Sequence, residues 1–260
     1  ISRGAQSFDH TLVVRSTEKS VPVRLLILDS GGNDITYRYG TFSDGVVQGC
    51  QKFLSEDRHR QKTLCFFHIP LPEIVGLSPL VGSHHLLDAV VQARKLPLAK
   101  HCAALLLRLL GLGSLIHGTS LRNSGLFEIL SRFHYIHAAF FGHDHHSDAI
   151  YKRKNLYMCY GRVGSTTPPS NWEGKAKLPF APGARVIEVS ADGKDIQTWI
   201  ETCSGEEAGS RFTLAELGGN GRVSTRTALK KLFLWTALGA AFVLLIRRRR
   251  ALVASMSFKK

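Results

Sequence analysis

Pairs of cysteines are missing from this 260-residue chain. Its five cysteines, at positions 50, 65, 102, 159 and 203, are odd in number and no two share C-x-x-C spacing. That excludes a zinc ribbon or a dithiol redox motif and leaves the redox compartment open. Cys65 and Cys159 fall inside apolar runs, where a free thiol behaves as a small core residue. Acidic residues are missing from the carboxyl-terminal stretch: from Arg222 onward there are ten Lys/Arg and no Asp or Glu. The formal net charge of +14 is therefore mostly a property of that stretch, and only +4 belongs to residues 1–221. So neutral a body argues against a basic nucleic-acid surface, and no nucleic-acid partner is expected. A full-length bilayer span is also lacking. The uninterrupted apolar run from position 232 to 246, opening at Leu232 and closing at Ile246, reaches roughly 22 Å as a helix, against about 30 Å of hydrocarbon. An initiator methionine is absent at Ile1, so a fragment or a processed product is expected, and an amino-terminal signal would be invisible.

What remains is an ordinary globular composition, 44% apolar and 21% charged, enough for one domain with a sizeable core. Residues 1–20 are polar and irregular, and read as an edge or a frayed end. Residues 21–28 read as a strand with Pro22 near its start, followed by the turn Asp29-Ser30-Gly31-Gly32 with Asp29 as its capping residue. Val47, Cys50, Phe53 and Leu54 recur at helical spacing within 44–60, an amphipathic crossover helix between parallel strands. Asn123 or Ser124 is placed to cap a helix over 126–133. Further strands are read at 135–141, 155–160, 184–189 and 196–201. The last two are joined through Asp192-Gly193, a hairpin signal.

The chemistry concentrates in Phe140-Phe141-Gly142-His143-Asp144-His145-His146. In extended backbone, His143 and His145 project the same way and Asp144 the other. Two neutral imidazoles side by side suit a divalent transition metal; a loop of solvated histidines is the competing reading. His68 ends a second apolar strand in Thr63-Leu64-Cys65-Phe66-Phe67-His68-Ile69-Pro70-Leu71-Pro72-Glu73. Open α/β sheets bind ligands at the carboxyl ends of their strands, so His68 is expected to meet His143 and His145 there, within roughly 5 Å of a common point.

The F-F-H-I-P-x-P-E strand and the later F-x-G-H-D-H resemble the calcineurin-like metallophosphoesterases, in particular the branch related to purple acid phosphatases. Leu28-Asp29-Ser30-Gly31-Gly32, Asn123-Ser124-Gly125 and Met158-Cys159-Tyr160-Gly161-Arg162 match in the same order, so the resemblance covers about residues 21–200. It implies an α/β (α+β) fold, a layered β-sandwich flanked by helices. It also implies hydrolysis of phosphate esters at two divalent ions, of iron, manganese or zinc. Carried over, His68 and His143 correspond to ligands of the second metal and His145 to a ligand of the first. Asp144 is then a partner behind the ligands or a solvated turn residue. Arg162 lies near the rim, either touching a phosphate or solvated.

The chain departs from the family at three places. The motifs G-D-x-x-D and G-N-H-D/E do not occur in it and no D-x-H precedes Leu28, so the bridging aspartate, the asparagine ligand and the catalytic histidine have no counterpart. No catalytic residue is identified, the amino-terminal part of the first sheet is expected to be missing, and at most one metal should bind. Residues 74–122 read as an insertion in a partial domain spanning 1–202, with a leucine-rich helix around Arg108 and with His84, His85, His101 and His117 as surface or loop histidines. Residues 203–226 read as a linker, and 227–260 as a hydrophobic helix with a basic tail that anchors the chain in a membrane. Three functions are compatible with this: a metal-dependent phosphoesterase carrying only its carboxyl-terminal motifs, a membrane-tethered inactive interaction module, and a structural metal site.

Overall fold

The computed structural model describes residues 10–15, 17, 20–32, 36–77, 79–82, 117–165 and 181–217. All lie in the first of the two units into which the chain divides, Ile1–Arg222 and Val223–Lys260. The main sheet holds six strands: β1 (His10–Val14), β2 (Val23–Ile27), β3 (Thr63–Phe66), β4 (Ile136–Phe141), β5 (Ile150–Arg153) and β6 (Leu156–Tyr160), in the order β1-β2-β3-β4-β6-β5. Strands β2, β3, β4 and β6 run parallel, while β1 and β5 are antiparallel to their neighbours. A second, antiparallel sheet holds β7 (Gly183–Val189), β8 (Ile196–Thr202) and β9 (Phe212–Thr213).

Side-chain alternation explains the layering. On the four parallel strands, Leu26, Cys65, Ala139, Phe141, Met158 and Tyr160 face one core, shared with the helices. Val23, Leu64, Ala138, Phe140, Tyr157 and Cys159 face the other, shared with Ile196 of β8 and with Leu214. A sheet buried on both faces is written as near-continuous apolar runs, as in HAAFF and LYMCY. The helical layer is α1 (Asp44–Glu56), capped by Ser43, whose hydroxyl accepts from Val46 N, and the short α2 (Leu126–Leu130). Helix α1 buries Val46, Cys50 and Leu54, leaving Val47 partly covered and Phe53 exposed.

Several expectations are corrected. The amino-terminal residues include strand β1, which borders β2 where an open edge was expected; its residues are all exposed and give no alternating pattern to read. Strand β5 also went unread, because Lys152 and Arg153 break its apolar character. Helix α2 stops at Leu130, and its cap is Gly125 at φ 79°; Asn123 and Ser124 instead accept from Gly125 N and Leu126 N. The stretch read as a linker holds β9 and the buried Leu214. Within the expected insertion, Leu80 and Val81 hydrogen-bond to Ile150 on the edge of β5, and His117 is buried. The leucine-rich run with His84, His85 and His101, and the apolar run with its basic tail, lie outside the described residues. No helix among the described residues is long and apolar enough to cross a membrane.

One ion pair ties the start of β2 to the end of α1. Arg24 Nη1 donates to Asp57 Oδ2 at 2.6 Å and Nη2 to Gln61 Oε1 at 3.1 Å. The hydrogen bond from Arg24 holds the Asp57 carboxyl below its usual range, against the opposing effect of burial. A depressed carboxyl contributes stability above its unfolded pKa and loses it as pH falls through the folded value. Asp57→Asn should therefore lower stability at pH 7 by about 1.5–3 kcal/mol. The gap to wild type should close during acid titration below about pH 4, as followed by urea unfolding; a pH-independent gap would show that the charge is not what matters.

Candidate metal centre

The parallel strands deliver their chemistry to one edge. The pairing of Phe66 with Phe140 sets β3 and β4 in register, and the ladder continues beyond the strands: Phe67 N donates to Phe140 O and Gly142 N to His68 O, both at 3.1 Å. Beneath this edge Phe66 stacks on Phe140 and Phe67 on Phe141, with centroids 5.3 and 5.7 Å apart. His68 and His143 are thus brought together across 75 residues, with His68 Nε2 3.3 Å from His143 Nδ1 and the rings edge to face.

His143 sits in the left-handed region at φ 70°, a conformation uncommon outside glycine but more accessible to His, Asn and Asp. The turn around it is closed by hydrogen bonds. Asp144 N donates to Gly142 O at 2.9 Å, and Asp144 Oδ1 accepts from His146 N at 2.9 Å. Two further segments wall the ring. Tyr39 packs on it with centroids 4.4 Å apart. Gly118 lies so close that a Cβ there would fall 2.7 Å from His143 Cδ2. His68 also lies beside Gly142, where an added Cβ would make an ordinary contact with its Nδ1 at 3.6 Å.

Burial, with the neighbouring His68 next, brings the His143 pKa down to about 4, against the opposing pull of Asp144. His68 is lowered too, by burial and then by His145. Both rings are therefore neutral at pH 7, the protonation state that ligates metals. Two nitrogens bonded to a tetrahedral ion at about 2.0–2.1 Å stand about 3.3–3.4 Å apart, which matches the separation observed. The separation suits two ligands of one ion and equally a hydrogen bond from one ring to the other. A third ligand is not in place, since among the described residues no group of three His, Cys, Asp or Glu is arranged to hold a metal. His145 is close enough for its charge to bear on both rings.

Of the other residues singled out in the sequence, Asp29 caps its turn, accepting from Gly31 N at 2.8 Å. Asp144 is turned toward His146, 3.7 Å from its Nδ1. Arg162 is neither solvated nor at an open rim: its guanidinium is buried and pairs with Asp148. Glu73, which closes the first motif, is buried and accepts from Asn123 Nδ2 at 2.7 Å, joining the two motifs physically. Burial raises its pKa, against the opposing Asn123 hydrogen bond. Tyr39 and Gly118 went unread as parts of the site. Each approaches from a segment with no metal-type spacing, and only the positive φ of Gly118, invisible in sequence, marks its role.

No protein-family model matches the chain, and no curated protein matches it in sequence. Among solved structures, a dimetal phosphatase from Danio rerio is similar with a TM-score of 0.43 and 10% identity, over 79% of this chain and 60% of that one. The chain therefore spans less than two thirds of that protein's length.

Proposed function

We propose that this chain is a metal-dependent phosphoesterase-type domain, acting on phosphate esters, that contributes the histidine ligands from the carboxyl-terminal half of such a site. The observation that carries the reading is the His68–His143 pair, neutral and spaced for one tetrahedral ion at the carboxyl edge of a parallel sheet. His68 and His143 hold the ion, and His145, whose charge bears on both rings, is the candidate to join them. A dication bound there supplies a Lewis acid for a phosphoryl oxygen and lowers the pKa of its water. The protein keeps the two imidazoles unprotonated by burial and fixes the His143 ring between Tyr39 and Gly118. Asp144 orders the turn that carries His145 and His146.

A second reading, an inactive interaction module, is favoured by one observation: the G-D-x-x-D and G-N-H-D/E motifs that complete the family's two-metal site do not occur in these 260 residues. In either case we propose that the apolar run at 232–246 tethers the chain to a membrane. Carbonate extraction is expected to leave the full chain in the pellet. Release into the supernatant would exclude an integral anchor.

Metal counting tests the main reading. Residues 1–221 should bind at most one manganese, iron or zinc ion per chain, and His68→Ala or His143→Ala should abolish that binding. Hydrolysis of p-nitrophenyl phosphate by this segment should be no faster than by its His143→Ala variant. Two ions per chain with His143-dependent turnover would show that an unrecognised carboxylate completes the site within this chain. No binding at all would sink the metal reading.

Gly118→Ala gives an independent check of the wall behind the ring. The methyl would collide with His143 and force a residue with a Cβ to φ 62°, a backbone penalty of about 1 kcal/mol before any collision. The expected result is a folded protein whose metal affinity falls more than its stability, measured by titration and by thermal melting. Unchanged affinity would mean that the ring does not bind metal in the orientation seen.

A further inference from the structure

We propose that Arg185, on the second sheet, is the positioning residue of the histidine turn. The turn from Gly142 to Ala149 is anchored at its start, where Gly142 N donates to His68 O. Its far end is anchored by arginines. Arg185 reaches from β7 across to the first sheet and spends its fork on two carbonyls: Nε donates to Tyr160 O at 2.6 Å and Nη2 to Asp148 O. Its Nη1 donates to Thr198 Oγ1 at 3.2 Å, which steadies the guanidinium on its own sheet. Arg162 holds the Asp148 carboxylate at the same time. Asp148 is thus gripped by its carbonyl and by its side chain, five residues beyond His143.

Only a planar fork serves both carbonyls at once; a lysine ammonium reaches one with a flexible stem. The consequence is that the second sheet, which carries no ligand, sets where the ligands stand. Ser147 and Asp148 are buried, and Gly82, whose Cβ would lie 2.6 Å from Asp148 O, closes the turn from the outside. With the end of the turn locked, the left-handed His143 and its ring have little freedom to leave Tyr39 and His68.

The proposal rests on the metal reading for its consequence in affinity, and it has a consequence without metal as well. The test uses the full chain in four forms: wild type, Arg185→Gln, Arg185→Lys and Thr198→Val. Cobalt(II) alone is titrated by visible absorbance. Separately, in metal-free protein, the His143 ring protons are followed by NMR, assigned through His143→Ala. Their ring-current shift reports contact with Tyr39. Arg185→Gln should weaken cobalt binding about 10–100-fold and move the His143 resonances, and Arg185→Lys should do both to a lesser degree. Thr198→Val loses the hydrogen bond that steadies the Arg185 guanidinium, together with the one to Val186 O, so it should shift both readings in the same direction as Arg185→Lys.

If Arg185→Gln binds cobalt like wild type with unmoved His143 signals, the proposal is overturned. If Arg185→Gln does not fold by circular dichroism, Arg185→Lys decides on the same two measurements. If wild type binds no cobalt, the metal reading fails, and the ring signals alone decide whether Arg185 positions the turn.

Discussion

The register between β3 and β4 is the constraint on which the rest depends. Parallel neighbours end at the same edge, so whatever follows Phe67 and Phe141 must meet. The stacked phenylalanine pairs beneath add about 0.5–1.5 kcal/mol each beyond the area they bury, and they resist a slip that would turn His68 and His143 to opposite faces. Burial of both faces then does the electrostatic work. A half-buried ring beside another ring is costly to protonate, and the pair stays neutral against the opposing pull of Asp144.

The second sheet adds a different kind of support. It covers one face of the main sheet with Ile196 and Leu214, an apolar contact of the usual sort. Through Arg185 it also reaches the polar edge. A guanidinium this deeply placed costs desolvation, which is offset only because each of its nitrogens finds an acceptor. The helical face is fastened by its own polar contact, the Glu73–Asn123 bond, which ties the loop after His68 to the start of α2. His68 and His143 are held between these two fastenings.

Much of this was legible from residue patterns, and the remainder was hidden for identifiable reasons. The parallel strands announced themselves as short apolar runs, and the strand-end position of His68 carried the expectation that it would meet His143. Strand β1 was hidden because an exposed edge has no alternation, and β5 because two half-buried basic residues close it. Arg162 looked like a rim residue because its loop follows a strand end; its pairing with Asp148 depends on a turn 14 residues away. Tyr39, Gly118 and Arg185 arrive from three separate segments, and a single sequence carries no mark of such long-range convergence.

The left-handed backbone at His143 also bears on how this position can change over time. A residue there must satisfy two demands, a backbone most readily met by Gly, Asn, Asp or His and a side chain long enough to approach His68. Among metal-ligating types, Cys and Glu fit the first demand poorly, and Asp fits it with a shorter reach. The turn therefore restricts the ligand alphabet open to descendants of this chain: it can lose the imidazole through one replacement by Asn, yet it has few routes to a different donor at the same place.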